Sequence, residues 1–133
     1  MSNLGFNSIA SRLNSIAKQL ATAGPSKIEG SPRRVRVLFN KKWIVDTTSS
    51  KLVWEHPYFP TYYFPSTDVQ TKYIEKVQQT EDGTGYICKL VVGDRSTGSV
   101  LWFEKGVLDG LLRFEFKEMG TLPLGVFLMR FLV

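Results

Sequence analysis

The hydrophobic period changes once along this chain, and the change divides it. Ile9, Leu13, Ile16 and Leu20 recur at helical spacing with Arg12, Lys18, Gln19 and small polar residues between them, one stripe of an amphipathic helix. Gly24-Pro25 closes that pattern, because glycine accepts the left-handed conformation after a helix and proline cannot continue one. From Val35 the period is two: Val35, Val37 and Phe39 alternate with Arg34, Arg36 and Leu38, as a strand with one buried face requires. The expected organisation is a helix over residues 1–24, a linker over 25–32, a β-rich domain over 33–118 and an apolar tail over 119–133, whose order is left open.

Turn chemistry divides the β-rich part further. Asn40-Lys41-Lys42 reads as a hairpin turn before a strand at Trp43–Val45, and Asp46–Ser50 as a polar turn before Lys51–Glu55. His56-Pro57 interrupts that strand, since proline donates no ladder hydrogen bond, and Thr61–Phe64 resumes between Pro60 and Pro65. Ser66-Thr67-Asp68 offers caps for a helical turn over Val69–Glu75. Tyr86–Val92 and Ser99–Glu104 read as a hairpin across Gly93-Asp94-Arg95, and Leu111–Lys117 as a last strand. About seven short strands predict a mainly β fold, an open barrel or sandwich preceded by one helix.

Composition excludes several classes. Hydrophobic residues at 43% and aromatic residues at 13% are enough for a core, which a disordered chain lacks. A single cysteine, Cys88, rules out an internal disulfide and a Cys-rich zinc site, and with His56 the only histidine no metal and no cofactor is expected. The net charge of +5 is concentrated at one end: residues 1–42 carry eight bases and one acid, and the other residues nine bases and eleven acids. The bases are spread over helix, linker and strand, so a solvated basic face is expected rather than a nucleic-acid partner. No apolar run reaches the roughly 20 residues of a membrane-spanning helix. The expected setting is cytoplasmic. A mitochondrial leader is the alternative, because the first 28 residues are Ser-rich, mildly basic and free of acids.

Arg34-Val35-Arg36-Val37, then Ile44-Val45-Asp46-Thr47-Thr48, then Trp54-Glu55-His56-Pro57, and above all Tyr62-Tyr63-Phe64-Pro65-Ser66-Thr67-Asp68-Val69 carry a resemblance. Their order is similar to that of domain-of-unknown-function family 427, which has a VRV strand, a glutamate before a proline-containing turn, and "YYFPxxDV". Val91-Val92-Gly93-Asp94-Arg95 and Trp102 resemble the family's second half, and the wording around Trp54 looks most like its fungal branch. The resemblance covers about residues 30–118. It implies a small β-tent/Mss4-like fold and no established activity. Some schemes attach a nucleotidyltransferase label to the family, yet the chain has neither a glycine-rich phosphate loop nor paired metal-binding aspartates. The two CxxC pairs of Mss4-like zinc proteins are absent too, so the resemblance implies a metal-free domain. Where many bacterial members carry a "CPYKG"-like motif this chain reads Tyr86-Ile87-Cys88-Lys89, and an apolar ending replaces the family's polar one.

Candidate chemistry gathers in the aromatic, proline-rich stretch from Trp54 to Pro65. Rings with polar tips suit a pocket for a flat or apolar ligand, and the candidate ligand-binding residues are Trp54, Tyr62, Tyr63, Trp102 and Arg36. The same rings would equally pave a small core. Strand alternation makes Trp54 and Glu55, and likewise Tyr62 and Tyr63, face opposite ways. Glu55 and His56 are the candidate proton-transfer residues, against a plain turn role for His56. Cys88 reads as a small buried apolar residue, and Asp68 as a turn or helix cap. Three functions follow as expectations: an aromatic pocket for a small ligand or partner; an enzyme of isomerase, lyase or cyclase type; and an interaction module working through the helix.

Overall fold

Helix α1 spans Leu4–Ala23 in the computed structural model of the protein, which describes residues 4–115 and 127–132. Gly24, at φ +75°, ends it, and its N–H bonds the Leu20 carbonyl at 2.9 Å. Leu13, Ala17, Leu20 and Ala10 are buried, while Ile9 and Ile16 flank them half-buried. The two alanines lie on the buried seam, where small side chains let the helix approach the sheet.

Among the described residues ten strands follow: β1 (Ile28–Ser31), β2 (Arg34–Phe39), β3 (Lys42–Thr47), β4 (Ser50–His56), β5 (Phe59–Pro65), β6 (Ile74–Gln79), β7 (Gly85–Val92), β8 (Arg95–Phe103), β9 (Leu111–Phe114) and β10 (Phe127–Leu132). They form two antiparallel sheets. One has the order β1-β4-β5-β9-β8-β7-β6, the other β10-β2-β3. The larger sheet stays open, with β1 and β6 at its edges, so the mainly β expectation holds and the barrel does not close. Asn40 and Lys41 take φ of 47° and 68°, the left-handed pair that a two-residue hairpin turn between β2 and β3 demands.

Several details differ from the sequence expectation: β8 begins at Arg95 rather than Ser99, and β9 is Leu111–Phe114, with positions 116 and 117 of the expected last strand outside the described residues. Ile28–Ser31, within the stretch read as linker, pairs with β4 as an edge strand. The helical turn expected over Val69–Glu75 is instead two short 3-10 turns, Ser66–Asp68 and Thr71–Tyr73, after which β6 begins at Ile74. Of the apolar tail, Phe127–Leu132 pairs with β2; positions 119–126 and 133 lie outside the described residues.

The larger sheet is buried on both faces. Toward α1 it presents Val53, Tyr63, Ile87, Leu101, Phe103 and Leu111. Toward the three-stranded sheet it presents Phe64, Cys88, Leu90, Val92, Val100, Leu112 and Phe114, which meet Val35, Val37, Phe39, Ile44 and Val45. The "YYFPSTDV" run makes this join. Tyr63 and Phe64 point to opposite cores, Asp68 accepts a 2.7 Å hydrogen bond from Thr47 Oγ1, and Val69 bridges Val45 across the sheets. Apolar residues on both faces of one strand are what a central, doubly covered sheet requires.

Candidate functional site

Arg113 interrupts the apolar face under α1. It stands opposite Tyr63 in the β5–β9 register, with only 5% of its surface exposed. A guanidinium so buried needs counter-charge on every side it can reach, because an unpaired charge in a protein interior costs several kcal/mol, as a rough magnitude. Glu55 supplies the first. It lies in the irregular stretch of the β4–β5 ladder between Val53 and His56, and its carboxylate accepts from Arg113 Nε and, at 3.0 Å, from Nη2. Glu115, just beyond β9, accepts from Arg113 Nη1 at 2.9 Å. Arg12 of α1 reaches Glu115 Oε2 at 3.3 Å and closes a chain of two arginines and two glutamates with no net charge.

Two hydroxyls complete the arrangement. Tyr63 donates to Glu55 Oε2, and Thr61 Oγ1 donates to Glu55 Oε1 at 3.3 Å. Burial, and then the adjacent Glu55 carboxylate, hold the Tyr63 phenol well above its usual range, so it is a neutral donor. Burial also opposes the Arg113 charge, but the hydrogen bond and charge of Glu55 outweigh it and raise its pKa further. The network is therefore fixed in one protonation arrangement around those two groups.

Above these groups opens a cleft of about 550 Å³ between α1 and the strands β4, β5 and β9. Ile16, Leu20, Phe59 and Pro60 give it an apolar wall, and Gln19, His56 and Thr61 give it polar points. Glu55, Arg113, Glu115 and Arg12 reach its surface. The His56 ring stacks on Phe59 at 4.3 Å between centroids, and its Nδ1 accepts from the Tyr58 N–H at 3.1 Å. That hydrogen bond makes His56 the ordering residue of the β4–β5 turn as well as part of the cleft rim.

The sequence-predicted residues are not gathered into one pocket. Glu55, His56 and Tyr62 line the cleft, and Tyr63 is wholly buried beneath it. Trp54 is half-buried with Lys27 Nζ 5.0 Å from its ring. Arg36 belongs to a separate hollow of about 450 Å³, its guanidinium carbon 3.8 Å over Trp43. Trp102 packs at the margin of the core on the other sheet face, beside Lys76. Cys88 is buried, and burial pushes its thiol up to about 12, which suits packing rather than nucleophilic attack. Among the described residues no three His, Cys, Asp or Glu groups are placed to hold a metal ion.

Arg12, Arg113 and Glu115 escaped the sequence reading. Alternation beside Leu112 and Phe114 assigns Arg113 and Glu115 to a polar, outward face, and nothing local says that α1 covers it. The available signal was Leu111, an apolar residue on the same face as Arg113. No helix of the described residues is long and apolar enough to cross a membrane. A family model described as Domain of unknown function (DUF427) matches residues 27–106, which include Glu55, Thr61 and Tyr63 but stop short of Arg113 and Glu115. None of the curated proteins matches the chain.

Proposed function

The chain belongs to the DUF427 family, and on that footing we propose that the cleft under α1 binds a small molecule, part apolar and part polar. The observation that carries this reading is a charge chain, buried at Arg113, Glu55 and Glu115 and half-exposed at Arg12, that opens onto a concave half-apolar surface. Ligand sites combine those elements: apolar walls for burial and a few oriented polar groups for selectivity. Arg12, half-exposed at the cleft edge, offers a cation to an incoming acceptor. Gln19 offers an amide, although its Nε2 also reaches the Glu55 carbonyl at 3.4 Å.

An enzyme using Glu55 and His56 is the alternative, favoured by their sharing one cleft. Binding is preferred over it because Glu55 already accepts from Arg113 twice, from Tyr63 and from Thr61, which occupies its lone pairs. A helix-borne interaction module has less support, since the apolar stripe of α1 is spent on the sheet. We place the protein in the cytoplasm; a reporter fused to residues 1–30 that enters mitochondria would overturn that placement.

A thermal-shift screen of small polar and amphiphilic compounds tests the binding reading. At least one compound class is expected to raise the melting temperature of the wild type, with the shift reduced in Phe59→Ala and Arg12→Ala. Stabilisation equal in wild type and both variants, or none from any class, contradicts it.

A further inference from the structure

The face of the larger sheet opposite α1 holds a second polar arrangement, remote from the cleft. Tyr86 and Trp102 are direct cross-strand partners of β7 and β8, half-buried against the core. Lys76, on the edge strand β6, crosses both rings, its Nζ 4.6 Å from each centroid. The same ammonium bonds the carboxylate of Glu104, which follows β8. Two aromatic faces and one carboxylate thus converge on a single cation.

We propose that Tyr86, Trp102 and Glu104 form a cage for a small quaternary ammonium compound, with the side chain of Lys76 as its resident occupant. The rings are held by the core, so they stay in place when the occupant leaves. The occupant is within reach of solvent: the Lys76 side chain is 41% exposed, and it comes from β6, an edge strand of the sheet. Ring faces attract cations through their quadrupole, and N-methylated ammonium groups are favoured guests because they surrender less hydration than a primary amine. Glu104 adds a full negative charge where such a guest would sit. The tethered lysine competes at high local concentration, so it sets a threshold that a free ligand must exceed.

The test uses the full chain and tetramethylammonium, titrated by calorimetry at constant ionic strength, with neopentyl alcohol as the neutral match in shape. Lys76→Ala is expected to bind tetramethylammonium about tenfold more tightly than wild type, the scale of one or two cation–π contacts released. Adding Trp102→Ala should abolish binding, and adding Glu104→Gln, which keeps the volume and leaves the rings untouched, should weaken it severalfold. Neopentyl alcohol should not bind. The proposal is overturned if Lys76→Ala fails to bind tetramethylammonium, if Glu104→Gln has no effect in that background, or if the neutral alcohol binds as well as the cation.

Discussion

Arg113 and Glu55, 58 residues apart in sequence, form a two-point ion pair beneath α1, with Arg113 Nε on one carboxylate oxygen and Nη2 on the other. The side chains are 7% and 15% exposed, and the pair ties β4 to β9 across β5. Replacing Arg113 with methionine leaves Glu55 and Glu115 buried together without their shared cation. The expected loss is about 3–5 kcal/mol of stability, read as a fall in the urea midpoint. In a double-mutant cycle with Glu55→Gln, a coupling of about 0.5–3 kcal/mol is expected, since the two residues act through one contact. Additive losses would mean that each matters only through its own packing.

Tyr63 makes the folded state sensitive to alkali. Its phenol is raised well above the ordinary 10.0 in the fold, first by burial and then by Glu55, so the unfolded chain releases this proton first. Stability from this group is complete below a pH of about 10 and is lost as pH rises toward the folded value. Tyr63→Phe should therefore flatten the decline in melting temperature above that pH. The variant should also leave the native phenolate absorbance unchanged until unfolding begins.

Cys88 should resist thiol reagents. With its thiol pushed up to about 12 by burial, it holds about a thousandfold less thiolate at neutral pH than an ordinary cysteine. Reaction with a disulfide reagent should be slow in buffer and fast in urea. Rapid labelling of the native protein would place the thiol at the surface.

Gly85 is required by space rather than by backbone angle. A Cβ there would stand 2.3 Å from the Trp102 carbonyl oxygen and 2.9 Å from the Phe103 Cα, both backbone atoms that cannot rotate away. Gly85→Ala should cost about 1–3 kcal/mol, the range for overpacking, seen as a lower melting temperature.

How much of this was legible depended on whether local pattern and final burial agree. The α1 stripe, the Asn40-Lys41 turn and the β7–β8 hairpin are set by neighbours in sequence, and their residues announce them. The strands β1 and β6 are different. Ile28–Ser31 buries only its serine, and Ile74–Gln79 has no buried residue, so neither shows the alternation that marks a half-buried strand. Their backbones are fixed by pairing to β4 and β7, a long-range cause. Alternation sets Glu55 opposite Trp54 and Tyr62 opposite Tyr63 without saying which of each pair faces the core. Glu55 and Tyr62 are among the residues that line the cleft, and Tyr62 also packs against the core on the other sheet face. Tyr63 faces the opposite core from Tyr62, and its hydroxyl completes the charge network from below, which no local pattern announces. Arg113 was hidden because strand alternation cannot distinguish a face turned to water from one turned to a helix recruited from the other end of the chain.

The most direct test of the binding account is a map of amide shifts in the isotope-labelled protein on adding the strongest stabilising compound. The account predicts perturbations concentrated at Arg12, Gln19, Glu55, His56, Phe59 and Thr61, saturating with concentration and lost in Phe59→Ala. Perturbations confined to other surfaces, or absent at saturating compound, would contradict it.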